Sequence, residues 1–143
     1  MPRLTLSNNI SKIYDRKHVV LLNEAFASGT GGFTGTNATL SNDSGTLKSQ
    51  ADATNGYAYI EMATFPSKTY SYSIDLAAVQ PGGGKIYVGT TAGDNSLINV
   101  TAASATTYTG TFKSTQKSLF LSLVTVTNGR FIKWDNITIE ENN

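Results

Sequence analysis

The C-terminal segment constrains the fold of this chain more than any other stretch. It spans residues 129–140 and contains the only tryptophan of the sequence. The alternation of its apolar residues changes phase halfway, because Ile132 and Trp134 stand at even positions whereas Ile137 and Ile139 stand at odd positions. A β-bulge near Asp135 and Asn136 would restore the phase and turn all four side chains to one core. We therefore expect a bulged strand that pairs with an opening strand near residues 21–26 and closes a β-sandwich.

The chain from residue 18 onwards has the period of β-strands. The clearest example is Tyr70–Leu76, where large apolar residues alternate with serine and aspartate. Turn signals, such as the glycine-rich stretch 81–84, separate the alternating segments at regular intervals. The turn at 127–129 predicts a hairpin between the last two strands. The pattern indicates an all-β fold, a jelly-roll β-sandwich of about eight to ten antiparallel strands.

Length, charge and residue types exclude several classes of protein. The 143 residues suit one domain, and the absence of cysteine excludes a disulfide scaffold or a cysteine-ligated zinc site. A net charge of +1 gives the domain no electrostatic surface for nucleic acid. No apolar run has the length of a membrane helix, and the N-terminus lacks the apolar core of a signal peptide. We expect a protein made and kept in a cytoplasm, without a membrane or nucleic-acid partner.

Residues 1–17 differ from the rest and are expected to form an extended N-terminal arm, with the sandwich domain at residues 18–143. The arm combines four basic residues and one acid with scattered apolar residues. The residues expected to dock on a partner are Arg3, Leu4, Leu6, Ile10, Lys12, Ile13, Tyr14, Arg16 and Lys17. A segment of this kind can order on a neighbouring protein. The alternative is a frayed terminus.

Catalytic patterns are missing from the sequence. His18 is the only histidine, and no Gly-x-Ser-x-Gly nucleophile turn occurs. The glycine-rich stretch ending at Lys85 lacks the Gly-Lys-Ser/Thr ending of a phosphate-binding loop. We therefore expect a protein that is not an enzyme.

One group of residues suits sugar recognition, because its members are predicted to share an outer face of the sandwich: Tyr57, Tyr59, Glu61 and Tyr87. Aromatic rings offer platforms for a sugar ring, and a few polar groups beside them fix the orientation of a ligand. The alternative is that these tyrosines pack beneath a loop or a partner subunit, since tyrosine is common at interfaces.

Short segments recur along the chain in an order that is typical of one group of proteins. They are Leu21–Phe26, Gly31–Gly35, Gly45–Lys48, Tyr57–Ile60, Lys68–Leu76, Ile86–Gly89, Thr111–Thr115, Leu119–Leu123 and Trp134–Glu140. In this order and spacing the chain resembles the galactose-binding-like jelly rolls of carbohydrate-binding modules. It particularly resembles the versions found in structural proteins of tailed bacteriophages. The closing Trp-Asp-Asn-Ile is the most specific of these segments.

The resemblance implies a structural calcium ion, held by Glu24 on the first strand and Asp135 on the last. Calcium needs six to eight oxygen ligands, some of them backbone carbonyls. The alternative is that Asp135 accepts backbone N–H bonds at the bulge and Glu24 is solvated. No other cofactor is expected.

The resemblance also implies a non-enzymatic virion structural protein, a capsid decoration or cement protein that docks through its arm and stabilises the shell. Its partners would be the major capsid protein or another virion protein, in a homo-oligomer such as a trimer. It would be assembled into the virion in the host cytoplasm. One alternative is a glycan-binding module of a phage tail fibre or tail tip that contacts host polysaccharide. A third hypothesis is a minor tail or baseplate adaptor.

Overall fold

A computed structural model describes residues 19–142, which form eleven β-strands. In chain order these are β1 (Val20–Glu24), β2 (Thr34–Thr36), β3 (Ala38–Asn42), β4 (Leu47–Ala51), β5 (Gly56–Ala63), β6 (Thr69–Val79), β7 (Gly84–Gly89), β8 (Ile98–Ala102), β9 (Thr107–Lys113), β10 (Ser118–Thr125) and β11 (Phe131–Glu141). All pairings between them are antiparallel. Within the described range, no helix is long and apolar enough to cross a bilayer.

The strands form two sheets. Sheet A has the order β3-β4-β11-β6-β9, and β1 also pairs with β11. Sheet B has the order β2-β5-β10-β7-β8. Along β11, Leu47 of β4 lies opposite Trp134, while Glu24 of β1 lies opposite Ile137 further on. The expected all-β sandwich, closed by its first and last strands, is confirmed.

The core lies between the inner faces of the two sheets. Sheet A contributes the apolar parity of β6, as the sequence predicted: Tyr70, Tyr72, Ile74 and Leu76. Sheet B contributes the leucines of β10: Leu119, Leu121 and Leu123. Fully burying an apolar side chain of this size stabilises a fold by about 1.5–3 kcal/mol. The alternation in these two strands therefore positions both sheets.

The predicted bulge in β11 is present. Asn136 adopts a left-handed backbone conformation, with φ at +44°. The register between β11 and β6 shifts across it, from Asp135 opposite Asp75 to Thr138 opposite Ser73. The extra residue returns the second half of β11 to the parity that faces the core.

The predicted hairpin between the last two strands is wrong. β10 lies in the middle of sheet B, with β5 and β7 on its two edges, and β11 belongs to sheet A. The intervening turn crosses from one sheet to the other and is tied to β4, because Gly129 N donates to Ala51 O at 2.8 Å. Both edges of β10 are already hydrogen-bonded, so its sequence neighbour has to pair elsewhere.

The strand count exceeds the expected eight to ten because the chain also forms β2, a strand of three residues. The predicted arm at residues 1–17, with its nine docking residues, lies outside the described residues, as does His18.

Candidate ligand-binding face

The outer face of sheet B carries the residues that the sequence predicts for sugar recognition. Successive residues of a strand point to opposite faces, so the positions between the buried ones point outward. The register sets them in rows across the sheet. Tyr59 lies opposite Thr34 of β2 on one side and Ser122 of β10 on the other. Ser122 lies in turn opposite Tyr87 of β7, which lies opposite Asn99 of β8.

Three aromatic rings form a continuous row on this face, which we call the aromatic ledge: Tyr57, Tyr59 and Phe120. The ring centroids of Tyr57 and Tyr59 are 6.1 Å apart, and those of Tyr59 and Phe120 are 6.0 Å apart. The ring planes are tilted by 54° and 56° to each other, and both centroid distances lie in the range of favourable aromatic pairs. All three side chains remain partly exposed. The ledge is therefore a surface that a flat apolar face of a ligand can contact.

Polar groups flank the ledge. Glu61 is exposed and lies directly opposite Phe120 in the register. Its Oε2 accepts a short hydrogen bond from the Ser118 hydroxyl, which orients the carboxylate beside the ring. On the other side of β5, the exposed Thr34 and the partly exposed Thr36 belong to the edge strand β2. The ledge thus offers both aromatic contact and hydrogen-bonding groups.

The loop between β7 and β8, residues 90–97, folds back over the same face; we call it the β7–β8 loop. The amide of Gly93 donates a hydrogen bond of 2.8 Å to Ser122 Oγ. The hydroxyl of Tyr57 donates to the carbonyl of Ala92 at 3.5 Å. A Cβ atom on Gly93, where φ is +81°, would lie 2.9 Å from the Tyr57 ring, so the loop backbone packs directly against the ledge. The loop therefore covers the centre of the sheet.

Asp94 holds the β7–β8 loop in shape. Its Oδ2 accepts hydrogen bonds from the hydroxyl of Ser96 at 2.6 Å and from the amide of Thr90 at 2.9 Å. The bonds from Ser96 and then Thr90 hold the pKa of the Asp94 carboxyl below its ordinary value. From the neighbouring loop, Gln116 Nε2 donates to Thr90 O at 3.4 Å.

The structure brings together part of the predicted sugar-binding group. Tyr57, Tyr59 and Glu61 lie side by side on β5, whereas Tyr87 lies on β7, beyond Ser122. Ser122 is completely buried, so a covered part of the sheet separates Tyr87 from the ledge. Phe120 was absent from the predicted group. In the sequence, apolar residues occur at both parities of β10, a pattern typical of a strand that is central or covered on its outer face, and this pattern does not show which residue stays exposed.

The outer face of sheet A carries a second polar cluster. Asp135 and Asp75 lie directly opposite each other, and Asp75 lies opposite Thr107 on its other side. Asp75 accepts hydrogen bonds from the Thr107 hydroxyl at 2.6 Å and from Asn136 Nδ2 at 2.8 Å. These two bonds hold the pKa of the Asp75 carboxyl below its ordinary value. The two aspartates line an open depression of about 290 Å³.

The predicted calcium ligands, Glu24 and Asp135, bond to different partners. Glu24 Oε1 accepts the backbone amide of Phe26 at 2.9 Å, and its register partner Ile137 faces the core. Asp135 Oδ1 accepts the backbone amide of Asn136 at 2.8 Å, on the outer face of the sheet. Among residues 19–142, no three acidic or histidine side chains are grouped to hold a metal ion. The calcium site stays a prediction.

No family model matches the sequence, and no curated protein matches it. Solved structures do share the fold. One is a Clostridium thermocellum xylanase with CBM22-1 and GH10 modules, complexed with xylohexaose, at TM-score 0.62 and 14% identity.

 The match covers 89% of this chain and 29% of the xylanase chain, so this chain spans less than a third of that chain's length.

Two further structures match along nearly their whole length. A family 35 carbohydrate-binding module from Clostridium thermocellum has a TM-score of 0.59 at 10% identity, covering 87% of this chain and 98% of the module. A CBM29-2 variant complexed with mannohexaose has a TM-score of 0.55 at 16% identity, covering 88% of this chain and 93% of the other. At these identities the similarity establishes the fold, the jelly-roll sandwich of carbohydrate-binding modules. It provides no link to bacteriophage structural proteins.

Proposed function

We propose that this domain is a non-catalytic glycan-binding module and that the aromatic ledge is its binding site. The observation that carries the proposal is the row of three partly exposed rings, spaced 6.1 and 6.0 Å apart beside the Glu61 carboxylate. Sugar rings have apolar C–H faces and polar hydroxyl edges. A row of aromatic rings beside polar groups complements both features.

The comparisons support a binding role rather than a catalytic one. The three structures named above contain carbohydrate-binding modules, and two of them were solved with a hexasaccharide, xylohexaose or mannohexaose. This supports a glycan as the ligand of the present domain without assigning its sugar. It favours the glycan-binding hypothesis over capsid decoration. The capsid partner, the oligomer, the virion location and docking through the arm stay predictions.

The direct test is binding to a polysaccharide panel. Soluble xylan, mannan and β-glucan in affinity gels, followed by calorimetry with the matching oligosaccharides, would identify the ligand. The Tyr59→Ala variant removes the middle ring of the ledge. Truncating an aromatic residue at the centre of a binding site typically costs more than 1 kcal/mol, so we expect affinity to fall roughly tenfold or more.

A matched control is Phe65→Ala. Phe65 is an aromatic residue with 55% of its surface exposed, and it lies in the loop after β5, outside the ledge. This variant should bind like the wild type. Equal affinity of the wild type and the folded Tyr59→Ala variant would remove the ledge from the site, and failure to bind any member of the panel would contradict the proposed ligand class.

A further inference from the structure

The middle of the outer face of sheet B, a strip around Ser122 and Val124, is covered, and this affects which glycans the face can bind. We infer, on the basis of the proposed function, that the β7–β8 loop sets the chain-length specificity of the site. The face takes a short glycan segment lying along β5, beside the loop. It excludes a long chain laid across the sheet from β2 to β8.

The positions that a chain crossing the sheet would need are buried, and the loop lies over the first of them, Ser122. Ser122 lies between Tyr59 and Tyr87 in the register and has no exposed surface. Val124 lies between Tyr57 and Lys85 in the next row and is 1% exposed. A ligand on the ledge therefore meets the loop before it reaches β7.

The loop is held firmly enough to act as a barrier. The Gly93 amide donates to the buried Ser122 hydroxyl and the Tyr57 hydroxyl donates to Ala92 O, so moving the loop would break both hydrogen bonds. Asp94 braces the loop internally, and Gln116 ties it to the neighbouring loop. Several independent contacts have to break together before the strip opens.

The sheet below the loop would otherwise provide a continuous platform. The row Thr34, Tyr59, Ser122, Tyr87 and Asn99 crosses all five strands of sheet B. It would place one tyrosine on each side of a serine, with a polar residue at each end of the row. The loop divides this row and leaves Tyr87 apart from the ledge, so it limits the length of the site.

Removing the loop is the first test. β7 and β8 are paired up to Val88 and Ile98, so replacing residues 90–96 with the dipeptide Asn-Gly would join Gly89 to Leu97 by a two-residue hairpin turn. Calorimetry with xylo-, manno- and cello-oligosaccharides of increasing length gives the readout. We expect wild-type affinity to stop rising at short chains and that of the variant to keep rising with length. The same length profile for both proteins would overturn the inference.

A point substitution tests the inference without altering the loop. In the wild type, Tyr87→Ala should leave the affinity for the longest oligosaccharides unchanged, whereas in the shortened-loop protein it should lower that affinity several-fold. If Tyr87→Ala weakened the binding of long chains in the protein with its natural loop, the site would already extend past the loop. That result would contradict the inference. This arm remains decisive even if the shortened-loop protein does not fold.

The two proposals fail in different ways. If Tyr59→Ala abolishes binding but Tyr87→Ala also weakens it in the wild type, the glycan site stands and the length limit is wrong. If none of the oligosaccharides binds to either protein, both proposals are wrong. Circular dichroism and thermal unfolding of each variant establish that the sandwich is intact.

Discussion

Trp134 and Ile137 lie three positions apart on β11, yet both side chains are completely buried on the same face of the strand. In a regular strand, residues an odd number of positions apart face opposite sides. Asn136, whose backbone is left-handed, is the extra residue of the bulge, and it brings both side chains to the same face. One residue therefore keeps both halves of the closing strand in the core.

Substitution of Asn136 tests this relationship. Asn tolerates the left-handed conformation, whereas a β-branched residue does not, so Asn136→Val should lower the free energy of unfolding by about 1–3 kcal/mol. Asn136→Gly keeps the backbone conformation and loses only the hydrogen bond from Nδ2 to Asp75. Urea denaturation should show the smaller loss for glycine. The reverse order would mean that the bulge does not depend on the conformation of this residue.

Truncation of Trp134 tests the position of the closing strand. The indole is the largest of the fully buried side chains, so Trp134→Ala should cost about 3–5 kcal/mol in unfolding free energy. Trp134→Phe leaves a smaller cavity and should cost clearly less. Chemical denaturation monitored by circular dichroism measures both. A loss near zero for alanine would be incompatible with a tryptophan at the centre of the core.

Gly84 tests how tightly the two sheets pack. A Cβ atom at this position would contact Ile132 Cδ1 and would lie 2.6 Å from the backbone oxygen of Val124. Gly84→Ala should therefore destabilise the fold by about 1–3 kcal/mol through overpacking. Ile132→Val removes the Cδ1 atom, so the double variant should lose less unfolding free energy than the sum of the two single losses. Strictly additive losses would show that the alanine methyl group does not meet Ile132.

Asp75 gives the fold a defined response to acid. Its pKa lies below the ordinary 3.8 because the Thr107 hydroxyl and then Asn136 donate hydrogen bonds to the carboxylate. The ionised carboxylate thus stabilises the folded state above the pKa of the unfolded chain, and this stabilisation is lost as pH falls through the lower pKa of the folded state.

The wild type should consequently be more stable than Asp75→Asn near neutral pH, and the difference should shrink as pH falls below 3.8. Urea denaturation across a pH series measures it. If the difference stayed constant into strong acid, the hydrogen bonds to Asp75 would not be selective for its ionised form.

Several features of the fold could be predicted because they are written into short stretches of sequence. The phase change between Trp134 and Ile137 indicates the bulge without any knowledge of neighbouring strands. The alternation of Tyr70–Leu76 likewise identifies one buried face. The apolar residues at both parities of β10 indicate a strand that is either central or covered on its outer face, and β10 is central in sheet B with Val124 buried on the outer face.

The composition of the candidate site was harder to predict from short stretches of sequence. Tyr57, Tyr59 and Glu61 lie on one face, as the sequence predicted, because they alternate along one strand, β5. Tyr87 was added by parity alone, which gives the face of a residue but not its surroundings. Phe120 was missed because its contact with Tyr59 is a diagonal one between neighbouring strands, set by the register that pairs Phe120 with Glu61, about sixty residues away in the chain.

The sequence by itself determined the two-layer β-architecture, the closing strand and its bulge, since these follow from the two-residue period of a strand and from local backbone preferences. Only the tertiary structure decided which rings form one surface and that the β7–β8 loop covers the strip beside them. Those features depend on the register between distant strands and on a loop whose hydrogen bonds reach across three strands, and neither leaves a periodic signal in the chain.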